Sequence, residues 1–134
     1  MGPNTKKLLS VAGPPLSGQP PLMPQELAEA APELSAQLAS LLAMKNGFFV
    51  FESALHVFPA GPVDTGYDLV QWNSGALWGD AYGGLAEGLL FFAEDIFGEQ
   101  FALRDGAVHR FEPDTGDVQK IASGIEQWAA HLLR

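Results

Sequence analysis

The chain contains no cysteine, which excludes a disulfide framework and any zinc site built on thiolates, and suits a reducing compartment. Basic residues are also scarce: seven stand against sixteen acids, giving a formal charge of −9 and a pI near 4.5. That balance repels phosphate backbones and anionic membrane surfaces, so neither nucleic acid nor a membrane is expected as a partner. No apolar run approaches the ~20 residues needed to span a bilayer. Lys6 and Lys7 precede only Leu8 and Leu9, too short a block for a secretory signal. Lys6 also stands where a myristoylation signal needs Ser or Thr. A cytoplasmic location is the expectation.

Catalytic and cofactor signatures are missing as well. Gly83-Gly84 and Gly88 make neither a GxGxxG nor a Walker loop, no GxSxG elbow occurs, and the loop around residue 95 lacks the EF-hand ligand pattern. His56, His109 and His131 lie far apart and show no short metal-ligand spacing. No catalytic residue, metal or cofactor is expected.

What is present is apolar content, 47% of 134 residues, enough to order one domain around one core. The organising stretch is 89–133. Short apolar or alternating runs at 89–93, 100–103, 107–111 and 118–121 are separated by Gly98, Asp105-Gly106 and Pro113-Asp114-Thr115-Gly116. Gly98 permits a positive φ, Asp-Gly suits a type I′ hairpin, and Pro113 with Gly116 supplies a third reversal. Three such turns predict an antiparallel meander. After Ile121 the period lengthens: Ile125, Trp128, Ala129, Leu132 and Leu133 fall on one face of a terminal helix. Ser123 and Glu126 have the spacing of its capping box.

Upstream, residues 1–23 form a Pro- and Gly-rich arm, expected to be loosely ordered, with Leu8, Leu9, Val11 and Leu16 available to dock part of it on the domain at 24–134. Pro24 and Pro32 suit first helical turns, predicting a short helix over 24–30 and a longer one to Met44. Leu34, Leu38, Leu41 and Leu42 give the longer helix its apolar face, and Lys45-Asn46-Gly47 ends it. Residues 48–51 read as a buried strand, passing into a short helix through Phe51, Ala54, Leu55 and Phe58. Aromatic-rich 64–84 predicts short helical turns against the sheet.

The helix ending in Asn46-Gly47, the aromatics after it, Trp72-Asn73, and FFAEDIFGEQFAL followed by DG, PDTG and a helix bearing Trp128 together resemble the SUKH superfamily. That superfamily comprises bacterial immunity proteins and relatives among fungal cell-wall assembly regulators. The resemblance covers roughly 32–133. It implies a single α+β domain, a mainly antiparallel sheet flanked by N-terminal helices and a C-terminal helix. It also implies binding rather than catalysis: many bacterial members neutralise a polymorphic toxin, often a nuclease.

Charge placement fits such a role. Between Lys45 and Arg104 there is no base, yet eight of the sixteen acids lie there. Gathered on one face they would attract a basic partner such as a nuclease cleft, which must itself contact phosphates. The candidate partner-binding residues are the acids Asp64, Asp68, Asp80, Glu87, Glu94, Asp95 and Glu99, with Trp72, Trp78 and Tyr82 as aromatic anchors among them. The expected function is therefore an immunity protein that binds a basic toxin domain, as a monomer or weak homodimer. The alternatives are a regulatory or scaffold module with a non-toxin partner, and a small acid–base enzyme using Glu94, Asp95 or Glu99. Against a joint acid site, adjacent residues such as Glu94 and Asp95 point to opposite faces of an extended segment.

Overall fold

The computed structural model describes residues 2–23, 25, 32–63, 66–73 and 89–134. Among these, four helices and six strands make an α+β domain. The helices are α1 (Pro3–Val11), α2 (Pro32–Met44), α3 (Leu69–Trp72) and α4 (Ile125–Leu132). The strands are β1 (Phe48–Val50), β2 (Leu55–Val57), β3 (Leu90–Asp95), β4 (Gln100–Arg104), β5 (Ala107–Phe111) and β6 (Val118–Ala122). They form one antiparallel sheet in the order of the sequence, β1 to β6. Of the helix expected over 24–30, only Gln25 is among the described residues, and it is helical.

The meander forms where local turn chemistry demands it. Gly98 (φ 86°), Asp105 (φ 53°) with Gly106 (φ 78°), and Gly116 (φ 77°) all sit in the left-handed region. Register then sets the two faces. Phe48, Val57, Ala93, Phe101, Leu103 and Val108 share one face, on which Leu38, Leu41, Leu42, Ile125, Trp128 and Ala129 pack from α2 and α4. The opposite face carries a smaller core of Leu89, Phe91, Ala102 and Phe111, with Trp72 and Val118 against it. Among the described residues, no helix is long and apolar enough to cross a membrane.

Three local expectations give way to non-local contacts. The first is the helix after β1. Residues 51–54 are instead a tight turn, closed by Ala54 N donating to Phe51 O at 3.1 Å, and the chain returns as β2. Phe51, Glu52 and Ser53 have φ of 58°, 56° and 69°. The backbone winds, but with the left hand, a conformation that L side chains resist.

The second is the loosely ordered arm. Residues 3–11 are helical, and Leu8 and Leu9 belong to the main core. Gly2 provides no side-chain cap; the cap comes from α4. The Glu126 carboxylate accepts hydrogen bonds from Asn4 N (3.0 Å), Asn4 Nδ2 (2.7 Å), Thr5 N (2.9 Å) and Thr5 Oγ1 (2.9 Å). A Cβ on Gly2 would collide with that carboxylate. At the other end, Lys45 Nζ donates to Leu9 O (2.9 Å) and Ala12 O (3.3 Å). An anion thus sits at the positive end of α1 and a cation at its negative end. The chain then runs along the β1 edge, where Gly13 N donates to Phe49 O (2.8 Å) and Leu16 N to Gly47 O (2.9 Å). That cover blunts an edge otherwise open to foreign strands.

The third is the capping box at Ser123. The N-cap of α4 is Gly124, which has no side chain to cap with, and Glu126 is committed to α1. Ile125 N donates instead to Gln37 Oε1 of α2 (3.1 Å). The three helices are therefore stitched through one another's termini.

This arrangement sets a pH dependence. The N–H of Thr5, the Asn4 N–H and both side-chain donors hold the Glu126 carboxyl down at about 2, against an ordinary value of 4.5, outweighing the opposing effect of partial burial. A depressed carboxyl contributes stability that is fully present above 4.5 and is lost as pH falls through about 2. Glu126→Gln is accordingly expected to lower the melting temperature by about 5 °C at pH 7. In thermal melts across pH, the gap between variant and parent should close towards pH 2; a constant gap would assign the effect to packing alone.

Candidate functional site

In a meander, alternate turns fall at the same end of the sheet. The 51–54, 96–99 and 112–117 turns therefore lie together, while the Asp105-Gly106 turn, beside Arg104, is at the opposite end. The shared end is acidic. Glu52 comes from the first turn, Glu94, Asp95 and Glu99 from the β3–β4 hairpin, and Glu112, Asp114 and Asp117 from the third. Large apolar side chains project among them: Phe97 is 86% exposed and Ile96 69%, with Phe51 also exposed. An unpacked Phe and Ile at the tip of a tight hairpin contribute nothing to the core, and exposed apolar groups rimmed by charge are the composition of a contact surface.

Two clefts flank the hairpin. One, of about 370 Å³, is bounded by Phe49 and His56 on the sheet, Glu94 and Asp95 on β3, and Ser53 and Ile96 from the turns. The other, of about 290 Å³, lies between Phe97 and Glu99 on one side and Glu112 and Asp114 on the other.

The carboxylates differ in what already holds them. Asp95 Oδ1 accepts from Phe97 N (2.9 Å) and Glu99 N (3.0 Å), fixing the hairpin tip. Glu94, on the opposite face, lies with Oε1 3.3 Å from His56 Nδ1. Since a carboxylate only accepts, the ring N–H donates. The His56 ring is stacked on Phe49 (centroids 4.6 Å apart, 20° between planes) and packs against Phe58 at 4.4 Å. Glu94 and Asp95 thus have separate partners, as alternation along a strand requires.

Glu99 is placed against stability. Its carboxyl is pushed above the usual value, chiefly by partial burial and then by the negative charge of Asp95; Arg110 opposes this and Glu112 adds to it. A raised carboxyl favours the folded state when protonated, so its contribution is lost as pH rises through the raised value. Glu99→Gln is expected to raise the melting temperature by about 1–2 °C at pH 7, and the gain should shrink in acid. A fall at neutral pH would mean that the like charges impose no strain.

The remaining expected site residues divide. Asp68 is buried and spends its carboxylate as the N-cap of α3: Oδ1 accepts from Gln71 N (2.8 Å) while Gln71 Oε1 accepts from Asp68 N (3.0 Å). Trp72 is half-buried; its Nε1 donates to Gln100 Oε1 (2.9 Å) and its ring stacks on Phe58 at 4.8 Å. Trp72 thereby ties α3 to the second face of the sheet. The adjoining Asn73 does likewise, pairing its side-chain amide with the backbone of Phe91 (2.7 and 2.8 Å). Asp64, Trp78, Asp80, Tyr82 and Glu87 lie outside the described residues. Glu94, Asp95 and Glu99 are brought together with residues the sequence reading did not select: Glu52, Glu112, Asp114, Asp117, Ile96 and Phe97. The signal for them was the topology, which assigns alternate turns to one end.

Among the described residues, no three His, Asp or Glu side chains gather as a metal site. His109 is buried on the second face with Nδ1 lacking a hydrogen-bond partner among the described residues. Burial, then the nearby Arg104 charge, pushes its imidazole below the ordinary value. The chain matches no protein-family model, no curated protein and no solved structure.

Proposed function

We propose that this protein is an immunity-type inhibitor whose acidic sheet end binds a basic toxin domain, most simply a nuclease, and blocks it stoichiometrically. The observation that carries the reading is the gathering of Glu94, Asp95, Glu99 and Glu112 around the exposed Ile96 and Phe97. The resemblance of the 32–133 stretch to the SUKH superfamily supplies the class of partner. A nuclease cleft is basic because it holds phosphates, and carboxylates on a protruding hairpin can take their place. Ile96 and Phe97 supply desolvated contact area where charges alone bind loosely.

The test is to titrate the protein against the toxin domain encoded beside its gene and to follow nucleic-acid cleavage. Activity is expected to fall linearly to zero at one equivalent. Full activity in excess protein, for every basic toxin candidate so encoded, contradicts the proposal.

A further inference from the structure

We infer that the cleft between Phe49, His56 and Glu94 is a guanidinium pocket, which receives an arginine side chain of the partner protein. The inference rests on the reading of this sheet end as a partner surface and specifies what the surface selects. Three features of the cleft point to arginine. Phe49 is 38% exposed on the sheet face, and its ring lies nearly parallel to the His56 ring beneath it, so the cleft has a flat aromatic wall. That wall is braced, since His56 also packs on Phe58 and hydrogen-bonds to Glu94. At its edge stands the Glu94 carboxylate, whose side chain keeps 30% exposure. Its contact with His56 is through Oε1, and an ionised carboxylate has acceptor sites to spare.

A planar guanidinium stacks its face on an aromatic ring while its N–H fork meets a carboxylate in the same plane. An ammonium has no face to stack and holds its water more tightly, so lysine gains less from the same wall. Asp95, its Oδ1 engaged by the hairpin amides, adds charge at the mouth. The size, about 370 Å³, admits a side chain and excludes a folded element.

The experiment is a titration of the full-length, ¹⁵N-labelled protein with Gly-Arg-Gly amide and, separately, Gly-Lys-Gly amide, each to about 10 mM, a range suited to millimolar affinity. The arginine peptide is expected to shift the amides of residues 53–56 and 94–98, with an affinity about 5-fold above that of the lysine peptide. Phe49→Leu, which keeps an apolar side chain and removes the ring, and Glu94→Gln, which keeps the shape and removes the charge, should each weaken the arginine response several-fold. Equal responses to the two peptides, shifts elsewhere, no shift, or a response unchanged in both variants would overturn the assignment. Toxin neutralisation without arginine preference leaves the inhibitor and removes the pocket, whereas arginine binding without neutralisation leaves the pocket and calls for another basic partner.

Discussion

Trp128→Ala is expected to cost about 3–5 kcal/mol, the upper range for a buried aromatic truncation. Trp128 is fully buried, edge-on to Phe92 at 4.9 Å and tilted against Phe101 at 5.6 Å, where α4 meets the sheet. The same helix carries Glu126, so displacing it also releases the start of α1. Against a total of roughly 5–15 kcal/mol for a domain of this kind, the loss leaves a marginal or unfolded protein at 37 °C. Urea denaturation should show a much lower midpoint. Trp128→Phe should be far milder, since the indole Nε1 has no hydrogen-bond partner among the described residues and its removal offsets part of the lost packing. An alanine variant within about 1 kcal/mol of the parent would contradict the packing of α4 described above.

If the proposed inhibitor reading holds, reversing Glu94, Glu99 and Glu112 together to lysine is expected to slow association with the proposed basic partner by about 100-fold or more at low salt, and to abolish neutralisation at equimolar ratio. The three side chains line the two clefts on either side of the exposed hairpin tip, so reversal replaces attraction by repulsion along the whole approach. The deficit should narrow as salt rises, because exposed charges are screened beyond about 8 Å at physiological ionic strength. Folding should survive, since Glu99 is already under pressure from its like-charged neighbours. Asp105→Asn removes a carboxylate at the opposite end of the sheet, in a left-handed position that Asn tolerates. It should leave association unchanged. Stopped-flow binding at two salt concentrations measures both effects; equal slowing in the two variants would show that net charge, and not this end of the sheet, governs encounter.

Sequence reasoning works where the cause is local. Gly98, Asp105-Gly106 and Pro113 to Gly116 each carry their own turn chemistry, and the spacing of Ile125, Trp128 and Ala129 defines a buried face without outside help. It fails where a partner lies far along the chain. Helix α1 has no cap of its own and depends on Glu126 and Lys45, which no local pattern links to Asn4 or Leu9. For the same reason Glu126 could not be read as a partner of Asn4, and the spacing with Ser123 offered a box that does not form. Residues 51–53 mislead differently, because spacing reports winding without its hand and neither Gly nor Asn marks the turn. At the site, charge per stretch identified Glu94, Asp95 and Glu99. It missed Glu112, Asp114 and Asp117, which lie beyond Arg104 in sequence and join the others only once the sheet is closed.

The most direct test of the acidic-end surface is zero-length carbodiimide cross-linking of the protein in extracts of its source cells, with identification of the joined peptides by mass. The account predicts a single basic partner whose lysines are joined to Glu94, Asp95, Glu99, Glu112 or Asp114. Cross-links confined to carboxylates elsewhere, such as Glu33 or Asp105, or an acidic partner, would contradict it.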